Sequence, residues 1–274
     1  VWELPPNGQG ITALMALNIL NGYHFDHRGP ETAHVQIEAM KLAFADTLKY
    51  VADPRVSKVP LKEMLSSDYA ADRRKLITDK AQQPVAGEFK QSGTVYLCTA
   101  DGEGNMVSFI QSNYGGFGSG VVVPGTGISL NNRGCSFSLD PKHPNAVAPE
   151  KRPYNTIIPG FVTRDGKAVG PFGVMGGFMQ PQGHVQVLMN CIDFGMNPQQ
   201  ALDAPRWQWT RDKRVVVEAG YPVEELRKLE RMGHEISYDT LAGDFGRGEI
   251  IWRTKDGTLV GGTESRTDGC VAAW

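Results

Sequence analysis

The spacing of apolar residues changes once along the chain, from helical to alternating, and that change limits the folds available. Before residue 94 the pattern is helical. Thr12 to Leu20 is a compact apolar stretch, and Val35, Met40, Phe44, Leu48 and Val51 lie at helical spacing within Glu31 to Val51, before Asp53-Pro54 stops the run. Ser67-Asp68 reads as the capped start of another helix through Tyr69 to Ile77. From Thr94 the period is two. Thr94 to Ala100 alternates, with Val95, Leu97 and Thr99 on one face, Asp101-Gly102-Glu103-Gly104-Asn105 supplies turn chemistry, and Met106 to Ser112 resumes, which predicts a hairpin. Between the two regimes Asp79 to Gln91, polar and containing Pro84 and Gly87, is the expected linker.

Further on, a glycine-rich loop spans Gly115 to Gly120, and residues 131 to 160, rich in Pro and Asn, are expected to be irregular. Phe161 to Thr163 and Ala168 to Val174 form a second predicted hairpin around Arg164-Asp165-Gly166-Lys167. A helix is predicted from about Pro181 to Phe194, and Asn197-Pro198 provides a cap and an N1 proline for the next. Val215 to Val217, a helix over Pro222 to Met232, Glu249 to Arg253 and Leu259-Val260 complete the series. Helices flanking two mainly antiparallel sheets predict an α+β fold, a four-layer α/β/β/α sandwich.

Composition excludes several functions. Lys+Arg 28 against Asp+Glu 30 gives no basic surface for nucleic acid or an acidic membrane. No apolar run reaches the roughly 20 residues of a membrane helix, and no signal-peptide pattern opens the chain, which favours a cytoplasmic protein. Cys98, Cys135, Cys191 and Cys270 form no CxxC pair and are expected to be buried, reduced thiols. Neither they nor the six histidines have metal-ligand spacing, and no glycine cluster precedes Lys-Ser or Lys-Thr, so neither a metal nor a cofactor is expected. His184 is expected to pack or cap rather than act as a base. The start at Val1-Trp2-Glu3 reads as mid-chain, with a further segment expected upstream.

Thr94 carries the chemistry. A threonine hydroxyl is almost never ionised near neutral pH and needs an adjacent base. The α-amine of an N-terminal residue, with a reference pKa of about 7.7–8.0, is such a base on the same residue. Gln91-Ser92-Gly93-Thr94 suits the cleavage that would liberate it, because Gly93 permits backbone conformations in which the Thr94 hydroxyl reaches the Gly93 carbonyl. The plainer alternative is that Thr94 merely opens a strand, where threonine is common.

Taken together, the ordered motifs resemble the γ-glutamyltransferase family over nearly the whole chain. Glu3-Leu4-Pro5-Pro6-Asn7-Gly8-Gln9-Gly10 is similar to its E-x-P-P-x-x-Q-G stretch, and Glu38 to Asp46 to its E-A-x-x-x-A-x-x-D helix. Thr94, Asp101, Gly104-Asn105, Phe117-Gly118-Ser119-Gly120, Leu130-Asn131-Asn132, Lys151-Arg152-Pro153 and Gly176-Gly177 follow in the family's order. The resemblance implies an N-terminal-nucleophile fold and a precursor cut between Gly93 and Thr94. Residues 1–93 would then be the end of a large subunit and 94–274 the small one. It also implies an acyl-enzyme at Thr94, support from Ser112, and an oxyanion hole at the Gly176 and Gly177 amides. For Gly176-Gly177 a tight strand-to-helix turn is the competing expectation.

Departures from the family bear on the substrate. Tyr114 replaces an Asn, and Asn155-Thr156 replace a Ser-Ser pair that binds the donor's α-carboxylate. Arg133 replaces a Gln, and Ser136 replaces an Asp that binds the donor's α-ammonium. An arginine there repels an ammonium and attracts a carboxylate, so a small carboxylate-bearing amide donor is expected, as in relatives resembling oxamate amidohydrolases or glutaryl-cephalosporin acylases. A solvent-facing Arg133 paired with an acid is the alternative. At the level of the whole protein the alternatives are true γ-glutamyl transfer and an uncleaved, non-catalytic homologue, and a homo-oligomer is compatible with either.

Overall fold

The computed structural model describes residues 1–84, 93–239 and 242–274, and in it helices and sheets mix as an α+β chain. The predicted linker lies partly outside these residues. Upstream of it are α1 (Gly10–Leu20), α2 (Pro30–Tyr50), the single turn α3 (Leu61–Met64) and α4 (Ser67–Arg74). Pro30 opens α2, where its missing N–H costs nothing and its fixed φ suits a helix. The cap of α4 is Ser66, one residue earlier than expected, whose hydroxyl accepts from Tyr69 N at 3.1 Å.

The first hairpin is β1 (Gly93–Ala100) and β2 (Met106–Tyr114), antiparallel with Thr94 opposite Ser112 and a register shift at Gly93/Thr94. Next come β3 (Gly160–Arg164), β4 (Lys167–Met175), α5 (Met179–Ile192) and α6 (Pro198–Asp203). Asn197 and Gln200 make a reciprocal capping box at the start of α6. The chain ends with β5 (Trp207–Arg211), β6 (Arg214–Glu218), α7 (Val223–Arg231), β7 (Glu235–Asp239), β8 (Arg247–Arg253) and β9 (Leu259–Thr263). One sheet has the order β3-β4-β8-β9, antiparallel throughout. A second, β5-β6-β7, pairs β6 and β7 in parallel across α7, a βαβ unit that the alternation signal did not predict.

Adjacent residues of β4 hold successive layers together. Gly173 faces the β1-β2 hairpin, where an added Cβ would stand 2.5 Å from the Tyr96 ring; Val174 faces α5, where a Cβ on Gly183 would stand 2.6 Å from its side chain. Period-two patterning puts these neighbours on opposite faces. Behind α5 the main core packs Met15, Ile37, Met40 and Phe44 of α1 and α2 against Trp207 and Trp209. The alternation expected in β1 is present, with Thr94 and Tyr96 turned inward. Val95, Leu97, Val107 and Phe109 are on the open side, between 44% and 63% exposed.

The region around Val121-Val122-Val123 forms an isolated bridge, Val122 to Ser129. The expectation that the cysteines are buried is corrected. Of the four free cysteines only Cys191 is buried; Cys98 is half-buried, and Cys135 and Cys270, on a surface turn and near the chain's last residue, are exposed. Among the described residues no helix is long and apolar enough to cross a membrane.

Candidate active site

Thr94 is the first inward-facing residue of β1 and is 8% exposed. Its hydroxyl donates to Ser112 Oγ at 3.0 Å, and Ser112 Oγ also accepts from the Tyr114 amide at 2.9 Å. The side chains meet because strand register sets Thr94 opposite Ser112. Tyr114 ends β2 with φ 75, a left-handed backbone that asparagine tolerates and an aromatic residue adopts at a cost. Its conformation turns the chain into the glycine-rich loop, whose return is tied to β2 by Gly115 N to Asn132 Oδ1 at 3.0 Å and Asn132 N to Asn113 O at 3.1 Å.

Those ties deliver Arg133, the first residue of a 3-10 turn through Ser136. Arg133 is 5% exposed, which removes the solvent-facing alternative, and among the described residues no carboxylate is within ion-pair distance of it. Its guanidinium lies 5.2 Å from the Tyr114 ring centroid, and Nη1 donates to Thr156 Oγ1 at 2.9 Å. Nη2 is buried with no hydrogen-bond partner. Burial pushes the guanidinium below the usual arginine pKa, with Tyr114 and Cys135 opposing. Such a donor is costly to leave unmade, so an acceptor is the group it lacks.

The remaining predicted residues divide. Thr156 is fully buried and reaches the cluster through Arg133. The Asn155 side-chain oxygen accepts from Ile157 N at 3.1 Å, an Asx-type turn beside Arg133's support. Ser136 is half-buried on the Arg133 turn, with its carbonyl accepting from Asn145 Nδ2 at 2.7 Å.

Gly176 and Gly177 take φ 140 and 60, between β4 and α5. Their carbonyls accept from Met179 N at 3.0 Å and Gln180 N at 3.2 Å, which starts α5 two residues earlier than the pattern predicted. Among the described residues neither glycine N–H has an acceptor. The turn and the free amides are thus one feature rather than alternatives. A Cβ on Gly176 would stand 3.1 Å from Gly246 Cα, and Arg206 holds that segment by donating to Phe245 O at 2.9 Å and Gly246 O at 3.0 Å.

Gln9 joins the two halves of the site, a role for which its place in the sequence gives only a hint. It is fully buried, and its Nε2 donates to Gly177 O at 2.8 Å and Thr156 O at 2.7 Å. A continuous line therefore runs from the glycine turn through Gln9, Thr156, Arg133, Tyr114 and Ser112 to Thr94. His184 lies outside it. Its Nε2 accepts from Val174 N at 3.1 Å, so Nδ1 bears the proton and donates to Glu3 at 2.7 Å, a packing role as expected.

One His/Glu cluster with metal-ligand geometry is present among the described residues: His34, Glu38 and His234, with ligand atoms within 4.8 Å of one another. Its atoms are already engaged. Lys41 Nζ sits 2.7 Å from Glu38, and the two imidazoles hydrogen-bond each other at 2.7 Å, so an ammonium occupies the place where a cation would compete.

Comparison with known proteins identifies the family. The gamma-glutamyltranspeptidase family model matches residues 1–274. The glutathione hydrolase-like YwrD proenzyme of Bacillus subtilis is 37% identical over 285 residues, covering 99% of this chain and 53% of that protein. The oxamate amidohydrolase proenzyme of Klebsiella pneumoniae is 33% identical over 284 residues, covering 100% and 53%. The crystal structure of cephalosporin acylase from Bacillus halodurans superposes with a TM-score of 0.95 at 61% identity, over 100% of this chain and 51% of that one. The chain spans about half the length of these relatives, and over that span it belongs to the gamma-glutamyltranspeptidase family.

Proposed function

We propose that the protein is a self-processing threonine amidohydrolase or acyltransferase whose acyl donor carries a carboxylate. In the precursor the Thr94 hydroxyl attacks the Gly93 carbonyl, the C–N bond breaks, and water hydrolyses the resulting ester. The products are a Gly93 carboxylate and a free Thr94 α-amine. Residues 1–93 then belong to the larger piece and 94–274 to the smaller.

In turnover the α-amine takes the hydroxyl proton and Thr94 Oγ attacks the donor amide. The proton passes to the leaving amine, and water or an amine removes the acyl group. Ser112 accepts the Thr94 hydrogen bond and orients the nucleophile. The Gly176 and Gly177 amides receive the developing oxyanion, for which two free N–H groups on a bare backbone are suited. Tyr114, Arg133, Ser136, Asn155 and Thr156 line the donor site.

The observation that carries the donor class is the buried Arg133 Nη2 with no protein partner. A carboxylate satisfies it with a charge-assisted hydrogen bond, whereas an α-ammonium is repelled. Relatives named for oxamate hydrolysis and for cephalosporin acylation are consistent with such donors. The finer architecture we infer is the four-layer α/β/β/α sandwich, its second helical layer covering the open Val95, Leu97, Val107 and Phe109 face of the first hairpin.

Intact mass and amidase assays on the full-length protein test this. Wild type should yield a fragment starting at Thr94, Thr94→Ser should cut and turn over, and Thr94→Ala should remain one inactive chain. Normal processing of Thr94→Ala would remove Thr94 from its role.

A further inference from the structure

The strand that carries Thr94 is held by pairing at Gly93 and Tyr114. The described chain ahead of it is held too, at a point the catalytic reading does not use. His34 Nε2 meets Thr78 O at 2.8 Å, Glu38 accepts from Gln82 N at 3.1 Å, and Lys41 Nζ donates to Gln82 O at 3.0 Å. From the far side of the junction, Met232 O accepts from Ala81 N at 2.7 Å and Arg231 O accepts from Lys80 Nζ at 3.0 Å. His234 closes the cluster against His34.

The protonation pattern follows from the partners. Thr78 O can only accept, so His34 Nε2 carries a proton. Burial, with the positive charge of Lys41 next, pushes His234 down to a pKa of about 3, so it is neutral. His34 Nδ1 and His234 Nε2 share one hydrogen bond at 2.7 Å, and the buried Nδ1 of His234 is left without a partner. Glu38 and Lys41 are an ion pair with both side chains about 1% exposed. Apolar residues of similar volume are often as stable in such a place or more so, so a buried pair that grips both the N–H and the C=O of one residue, Gln82, acts on register more than on stability.

We propose that His34, Glu38, Lys41 and His234 form a clasp that fixes residues 78–82 and so presents the Gly93–Thr94 bond for self-cleavage. Gln82 lies eleven positions ahead of Gly93, and fixing a point so close in sequence to a bond narrows the range of positions that bond can take. The groups are positioning residues: they touch neither the scissile bond nor the donor. Because the clasp joins residues upstream of the junction to residues 231–234 downstream, it also outlasts the cut.

This proposal rests on self-cleavage before Thr94, and its test separates the two. Glu38→Leu with Lys41→Met removes both grips on Gln82 while keeping the site apolar and filled. Gln82→Pro, at an exposed position, deletes the N–H that Glu38 accepts together with the Gln82 side-chain bonds to Thr78 and Lys80, and so loosens the same segment without touching the buried pair. Freshly translated full-length protein is followed by intact mass. Both variants should process at least about tenfold more slowly than wild type, the scale on which small misplacements act. Once processed, each should show kcat/KM per Thr94 terminus within about twofold of wild type. Wild-type processing rates in folded variants would overturn the clasp, as would equal losses in processing and kcat/KM. No cleavage in wild type would overturn the underlying reading instead, and the clasp with it.

Discussion

Replacing Arg133 separates a substrate-binding role from a structural one, because the two predict opposite signs. The guanidinium has two engagements, Nη1 on Thr156 and the ring face of Tyr114, and leaves Nη2 unpaired. Arg133→Met keeps length and apolar contact and removes the charge. A charge-assisted hydrogen bond contributes about 1.5–3 kcal/mol, so kcat/KM for a glutaryl or oxamate amide should fall by about one to two decades, with little change for a neutral acyl amide of the same length. Folding should respond the other way. An unpaired buried charge is a cost in the folded state, so Tm should hold or rise. Arg133→Lys should fail nearly as badly on the anionic donor, since one ammonium cannot sit on Thr156 and also reach the position of Nη2. Arg133→Gln with Ser136→Asp removes one positive charge and adds one negative, which should raise γ-glutamyl turnover relative to glutaryl turnover. The assay is steady-state kinetics on the three donors with thermal melts of each processed variant. Equal losses on anionic and neutral donors, accompanied by a lower Tm, would refute the carboxylate subsite and leave Arg133 as a brace for Tyr114 and Thr156.

Gly177→Ala should lower kcat by about 10²–10³ in a processed, folded protein if the new methyl displaces the oxyanion from its donors; unchanged kcat would place the hole elsewhere. Gly173→Ala puts a Cβ 2.5 Å from the Tyr96 ring and should cost about 1–3 kcal/mol by overpacking, read as a lower denaturant midpoint. Burial raises the Glu3 carboxyl above its usual range, against the opposing pull of His184. Its contribution to stability is therefore present at low pH and lost as pH rises through the raised pKa, so the Tm advantage of Glu3→Gln over wild type should grow between pH 4 and pH 8. A gap independent of pH would show that Glu3 does not titrate in that window.

The elements legible in the sequence were those whose cause is local. The helical spacing in α2, the Asn197-Pro198 cap and the turn residues after Ala100 each act within a few positions, and each produced its element nearly where expected. β7, Glu-Ile-Ser-Tyr-Asp, was not legible because it is largely exposed and its pairing partner β6 lies across a helix. The inward face of β1 had a similar cause: Val95 and Leu97 are the more apolar set, yet the glycine at 173 makes room for Tyr96 instead. At the site, Thr94, Ser112, Arg133 and Gly176-Gly177 stood out through their types and order. That Thr156 supports Arg133 depends on a contact across 23 residues of irregular chain, and that Gln9 ties Thr156 to the glycine turn depends on contacts across 147 and 168 residues, none of which spacing encodes.

Those long contacts bear on how a chain cut as proposed would hold its site together. Gln9 lies upstream of the junction, while both acceptors of its amide, Thr156 O and Gly177 O, lie downstream. Glu3 with His184, and His34 with His234, span the junction in the same way. Each is buried, so parting the two pieces would strip a donor and an acceptor together, at about 1–3 kcal/mol for every group left unmade. The apolar core has the same arrangement, with Phe44 of α2 against Trp209 of β5 at 5.8 Å between ring centroids. The proposed cleavage before Thr94 would therefore remove one covalent bond while these contacts remain. The amine it would free stands at the start of a strand whose register, set by Ser112 and Tyr114, is already in place in the uncut chain.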